Sequence, residues 1–262
     1  TRYESLAKQG GWEIVTKGGP VQTLKNRLQA TGDFTEKGIE ESIRRFQERH
    51  GLEPEGVIGS KTLAALNVPV EDRIRQLKTN IRRLKKETSL GEDYVVVNIP
   101  DFQLRVVEDG KTILSMKVVV GQKKEEWQTP PLSSTISRLI LNPKWNVPPG
   151  ILEKELIQLI REDPDYLADH NMKVLLKEGD QEKTADPDEI DWQNIDVKKG
   201  EIRLVQIEGD ANSLGKVKFL FPNRYSIYLH DTPEKKLFAK NVRALSHGCV
   251  RVERALDLAE YL

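Results

Sequence analysis

Apolar positions in the first quarter of the chain recur at helical spacing. In "GPVQTLKNRLQATGDF" they are Val21, Leu24 and Leu28, and in "GIEESIRRFQERHGL" they are Ile39, Ile43 and Phe46. Gly51 is a stop signal, "EPEG" a turn, and Ser60 a candidate N-cap for a third helix over "KTLAALNV". Three such helices make only a modest core. A further helix is expected in "VEDRIRQLKTNIRRLKKE", where Ile74, Leu77, Ile81 and Leu84 line one face and basic residues the other, reading as a solvated linker helix. From Tyr94 the period changes. "YVVVNIP", "FQLRVVEDGKTILSMKVVVG" and "TISRLILNP" are short, β-branched and divided by turn residues, with Asp109-Gly110 as a hairpin turn.

The β pattern is then interrupted. "PPGILEKELIQLIRED" opens on prolines and carries Ile151, Leu152, Leu156, Leu159 and Ile160 on a helical face, followed by a polar stretch to about Lys199. This reads as a loop-rich lid with a solvated acidic surface. It lacks the glycine and closing glutamate of an EF-hand loop. The strands "EIRLVQIEG", "GKVKFLFP" and "YSIYLHD" return to the sheet, and "ERALDLAEYL" closes as a helix. The expected organisation is multidomain α+β. It comprises an N-terminal segment (1–17), a helical domain (18–68), a linker helix (69–90) and a mostly-β sandwich domain (91–262) with an inserted capping subdomain (150–199).

The 262 residues suit about two domains, and 41 acidic against 41 basic residues leave no field to attract nucleic acid or an anionic membrane. No apolar run is long enough to span a bilayer, and "TRYESLAKQGGWEIV" has no signal-peptide pattern. The chain lacks an initiator methionine, as a mature or trimmed piece would, so this says nothing about compartment.

Cys249 is the one cysteine, in "LSHGCVRVE". Taken alone, it is a buried small hydrophobe, a metal ligand, a partner for another chain, or a nucleophile. If "SIYLHD" and "GCVRV" are extended, Tyr228 and His230 share a face, as do Cys249 and Arg251. Two adjacent strands then assemble a thiol, an imidazole, a phenol and a guanidinium. An imidazole or backbone N–H groups can lower a thiol pKa from about 8.5 to about 3.5–7.5. Backbone N–H groups beside Gly248 can approach an oxyanion, and Arg251 can bind a carboxylate. A zinc site of His230, His247, Cys249 and Asp231 is the competing reading, but one cysteine offers none of the paired-ligand spacing of structural zinc. Trp145, beside "NVPP", suits either a substrate groove or core packing. His50 fits a last-turn dipole partner and His170 a surface position.

Two resemblances follow from these motifs. Phe46-Gln47, "GLEPEGVIG", and Thr62 with Leu63 and Leu66 resemble the type 1 peptidoglycan-binding domain. That likeness implies glycan binding, and a bracing helical bundle is the alternative. His230 followed by Ser246-His247-Gly248-Cys249 and Arg251 resembles the L,D-transpeptidase (YkuD-type) catalytic domain, as do "NPKWNVPPGI" and "LGKVKFLFPNRYSIYLHDTP". The likeness is to its large periplasmic branch with a capping subdomain. It implies a peptidoglycan-remodelling thiol enzyme acting outside the cytoplasm, in the periplasm. Cys249 attacks the third residue of a donor tetrapeptide stem, terminal D-alanine leaves, and a side-chain amine of a second stem resolves the thioester into a 3–3 crosslink. His230 is the implied base, oriented by a backbone carbonyl. Tyr228 and the amides of Gly248 and Cys249 hold the oxyanion, Ser246 and His247 organise the loop, and Arg251 orders the site or meets the donor. The expected partners are stem peptides, glycan and carbapenem-type inhibitors, with no metal or cofactor required. A cysteine hydrolase of stem peptides or wall linkages, and an inert wall-binding protein, are the alternative functions.

Overall fold

A computed structural model describes residues 2–85, 91–179 and 181–262. The chain divides into two compact units. The first is Thr1–Val96 with Val106–Ile113 and Lys240–Val242, and the second is Val97–Arg105 with Leu114–Ala239 and Arg243–Leu262.

The first unit holds helices α1 (Arg2–Lys8), α2 (Val21–Thr31), α3 (Ile39–Arg49), α4 (Ser60–Leu66) and α5 (Val70–Leu84). Val15, Leu24, Leu28, Ile43, Phe46 and Leu66 form its core, so the helical faces legible in the sequence do meet, except that Val21, at the first position of α2, is exposed. The "FQ" pair is explained by packing. Phe46 is fully buried. The Gln47 side-chain amide donates to Val57 O (2.8 Å) and Thr62 Oγ1 (3.0 Å), and its Oε1 accepts from Gly56 N (2.9 Å). One buried amide thus ties the "EPEG" turn to α4.

Three local details differ from the sequence expectation. Gly59, with extended backbone, is the N-cap of α4, and Ser60 is its first helical residue with no side-chain cap bond. His50 does not act as a charge on the helix dipole. Burial lowers its pKa, its Nδ1–H donates to Phe46 O (2.7 Å), and its ring stacks on Phe46, so it caps as a neutral donor. Helix α5 closes at Leu84, and the rest of the expected linker helix, 86–90, lies outside the described residues.

The large sheet contains β1 (Tyr94–Asn98), β2 (Gln103–Glu108), β3 (Lys111–Gly121), β4 (Arg138–Leu141), β9 (Val217–Leu220), β10 (Leu229–His230), β11 (Ala244–Ser246) and β12 (Val250–Val252). Its order is β1-β2-β3-β12-β10-β9-β4, with β11 pairing β3. Asp109 and Gly110 take φ of 47° and 71°, as the expected hairpin turn requires. Helix α9 (Ala255–Tyr261) ends the chain, with Ala255 and Leu258 buried.

The capping region departs most from expectation. It begins with α6 (Pro149–Ile151), a π-helical segment (Leu152–Leu156), α7 (Ile157–Glu162) and α8 (Tyr166–Asp169). The polar stretch then forms a hairpin of β6 (Met172–Glu178) and β7 (Gln181–Ala185) rather than a loop. Together with β5 (Trp145–Asn146) and β8 (Ile202–Gln206) it makes a second sheet, ordered β5-β8-β6-β7. The strand "EIRLVQIEG" therefore belongs to this sheet and not to the large one. β7 is a polar edge strand, exposed except at Ala185 and paired only with β6. Val174 and Leu204, both fully buried, pack with Leu152, Leu156, Ile160 and Leu167 in a separate core. Asp180 lies outside the described residues.

Candidate active site

The register of three strands builds the site. β10 runs antiparallel to β9, with His230 opposite Lys218, and parallel to β12, with His230 opposite Arg251. The Tyr228 carbonyl extends the second ladder by accepting from Val250 N (3.1 Å). Because side chains alternate, Val217, Phe219, Leu229, Val250 and Val252 fall on the buried core face. Lys218, Tyr228, His230, Cys249 and Arg251 share the other face, so the sequence-predicted residues are brought together.

His230 is buried, and its Nδ1 lies 2.5 Å from the Asp231 carbonyl. A carbonyl can only accept, so Nδ1 carries the proton. Burial, then the Arg251 charge, lowers the His230 pKa to about 3. The ring is neutral and Nε2 holds a lone pair. The tilted Tyr228 ring lies 5.6 Å from it, centroid to centroid.

Burial, then the neighbouring Cys249, pushes the Tyr228 phenol pKa up and holds it protonated, while the adjacent Trp145 acts in the opposite direction. Trp145 is therefore joined to the site. For Cys249 the expected lowering of the thiol pKa is not what results. Burial pushes it up, outweighing the opposite influence of Tyr228 and of the Lys218 and Arg251 charges. The expected imidazole contribution is missing because His230 is uncharged. Cys249 therefore rests as a thiol, whose S–H is directed at Ser226 O (4.0 Å).

The loop before the thiol is tightly held. Ser246 Oγ donates to Cys249 O (2.6 Å) and accepts from Gly248 N (3.2 Å). Gly248 has φ of 115°, where a side chain is strained. Thr129 Oγ1 donates to Gly248 O (2.7 Å) and accepts from Gly121 N (2.8 Å). His247 points elsewhere: its Nε2 meets Glu155 Oε1 of the π-helical segment at 2.7 Å, and its ring packs edge-on against Trp127. Arg251 is ion-paired with Glu234. Asp231 is buried, bonded to Lys235 Nζ and Lys216 N, so the groups of the zinc reading are turned to separate partners. His170 is exposed and bonded to Tyr166 O (2.8 Å). A 360 Å³ cavity borders the loop, lined by Glu125, Glu126, Pro130, Tyr225, His247 and Gly248 among others.

Sequence reasoning missed Lys218, Thr129 and Glu155. Lys218 had a signal, since it fills the polar slot between the core residues Val217 and Phe219 in "GKVKFLF". Thr129 and Glu155 reach the loop only through folding and carry none.

Comparison with known proteins agrees with this geometry. Residues 92–262 match the "L,D-transpeptidase catalytic domain" (YkuD) family, and the chain belongs to it. Residues 17–66 match the "Putative peptidoglycan binding domain" family. A Haemophilus influenzae protein named "Putative L,D-transpeptidase" is 38% identical over 188 residues, covering 72% of this chain and 37% of that protein. The chain thus spans little more than a third of that relative's length. No helix among the described residues is long and apolar enough to cross a membrane.

Proposed function

We propose that the protein is a peptidoglycan L,D-transpeptidase that forms 3–3 crosslinks through a Cys249 thioester. The observation that carries this reading is a half-buried thiol beside Tyr228, on one strand face with a neutral imidazole whose Nδ1–H is locked on a backbone carbonyl. Cys249 Sγ attacks the carbonyl of the third stem residue as the thiol proton moves to His230 Nε2. The Tyr228 hydroxyl and the Cys249 amide hold the oxyanion, because the Gly248 amide already donates to Ser246 Oγ. The C–N bond then breaks, His230 returns the proton to the leaving amine, and D-alanine departs. An acceptor side-chain amine attacks the thioester and regenerates the thiol. Trp145 orients Tyr228, while Ser246 and Arg251 hold the loop and its neighbours in place. A carbapenem-type β-lactam acylates the same sulfur.

The family matches point to work on the wall outside the cytoplasm, which we read as periplasmic, with the helical unit holding the chain on glycan. The test is mass spectrometry of tetrapeptide muropeptides incubated with the protein and with Cys249→Ala. Tetra-tripeptide dimers made only by the parent support the transpeptidase. Tripeptide without dimers makes it a hydrolase, and unchanged substrate overturns both.

A further inference from the structure

Among the described residues, one charge beside the thiol has no carboxylate paired with it. Arg251 is paired with Glu234, Lys235 with Asp231, and Lys216 with Asp210. Lys218 differs. Among the described residues no carboxylate pairs with its ammonium, which sits 3.7 Å from the centroid of the Tyr228 ring. It stands opposite His230 in the β9–β10 ladder, and its charge acts on Cys249. The side chain is half-buried, and that burial pulls its pKa down. An aromatic face attracts a cation only modestly and does not replace an anion. Holding a partly desolvated ammonium in place before the reaction is how a site is prepared for an incoming negative charge.

The reaction proposed above identifies that charge. A transferase that removes one terminal residue must tell a chain end from an internal peptide bond, and the free α-carboxylate is the difference. In a tetrapeptide stem this carboxylate lies two bonds from the scissile nitrogen, so it must sit close to Cys249 Sγ when the carbonyl does. The sequence pointed to Arg251 as the carboxylate clamp, but the Glu234 ion pair already occupies that guanidinium.

We propose that Lys218 binds the terminal carboxylate of the donor stem and so determines that the bond before the last residue is the one attacked. This rests on the transpeptidase reading and adds a specificity-determining residue to it. In the acylation step the Sγ–C bond forms and the C–N bond breaks. The thiol proton reaches the leaving amine through His230, and D-alanine leaves with its carboxylate still on Lys218.

The experiment compares a tetrapeptide stem ending in a free carboxylate with the same stem ending in a carboxamide. Cys249 acylation is followed by intact mass and release of the terminal residue is quantified, using the parent, Lys218→Met and Lys218→Arg. A charge-assisted contact of this kind predicts that the parent prefers the acid by about 10- to 100-fold in kcat/KM. Lys218→Met, which keeps the alkyl stem, should process the two within about twofold of each other, mainly through a raised KM for the acid. Lys218→Arg should retain most of the preference, and decides the matter if the methionine variant fails to fold. Equal use of acid and amide by the parent overturns the inference and leaves the transpeptidase intact. An equal loss on both substrates in Lys218→Met also overturns it, by assigning Lys218 to the thiolate. A parent that acylates with neither stem overturns the transpeptidase reading and the inference with it.

Discussion

Burial of a neutral His230 has a thermodynamic signature. In the unfolded chain its imidazole titrates at the ordinary value of 6.5, and in the folded protein at about 3. Between these values the unfolded state binds the extra proton, so this contribution to stability is present above pH 6.5 and is lost as pH falls toward 3. The limiting slope is about 1.4 kcal/mol per pH unit, and integration from pH 7 to pH 4 gives a loss of about 3 kcal/mol. The perturbation is His230→Asn, which is polar but does not titrate. Urea unfolding of parent and variant at pH 7, 6, 5 and 4 supplies two stability curves whose difference removes most of the titration common to both. That difference should shrink by about 3 kcal/mol toward pH 4. Parallel curves would refute the reasoning, because they would mean that His230 accepts a proton equally well in the folded site.

Other expectations rest on the loop that presents the thiol. Ser246→Ala leaves the Gly248 N–H and the Cys249 carbonyl without Oγ, so it should lower stability by about 2–4 kcal/mol, read from urea midpoints, and cut acylation of Cys249. Gly248→Ala meets no heavy atom closer than 3.8 Å but imposes a side chain at φ 115°, so a cost of about 1–3 kcal/mol in the same assay is expected from backbone strain alone. Thr129→Val strands the Gly121 N–H and releases the Gly248 carbonyl, and should destabilise by about 1–3 kcal/mol in thermal melts while slowing turnover. Glu155→Ala should free His247 from the cap, seen as a changed imidazole NMR signal, while Glu155→Gln preserves an acceptor and the parental signal.

Local pattern determined much of this protein. Helical periodicity marked the Leu24, Ile43 and Phe46 faces, Asp109-Gly110 marked a hairpin, and alternation along "SIYLHD" and "GCVRV" placed the thiol, imidazole, phenol and guanidinium on common faces. These succeed because period and turn chemistry act over a few residues. The edge strand β7 was invisible because a strand largely exposed on both sides needs no apolar code, the short apolar run of β6 was lost within a polar stretch, and β8 was assigned to the wrong sheet for lack of any local mark of pairing. Protonation states were likewise tertiary. Burial decides that His230 is neutral and Cys249 a thiol, and burial is a sum over residues distant in sequence. Charge partnership is decided the same way. Sequence put forward Arg251 as a carboxylate clamp, whereas packing gave it Glu234 and left Lys218 over Tyr228, because ion pairs depend on which side chains meet across strands and not on the order in which they are joined.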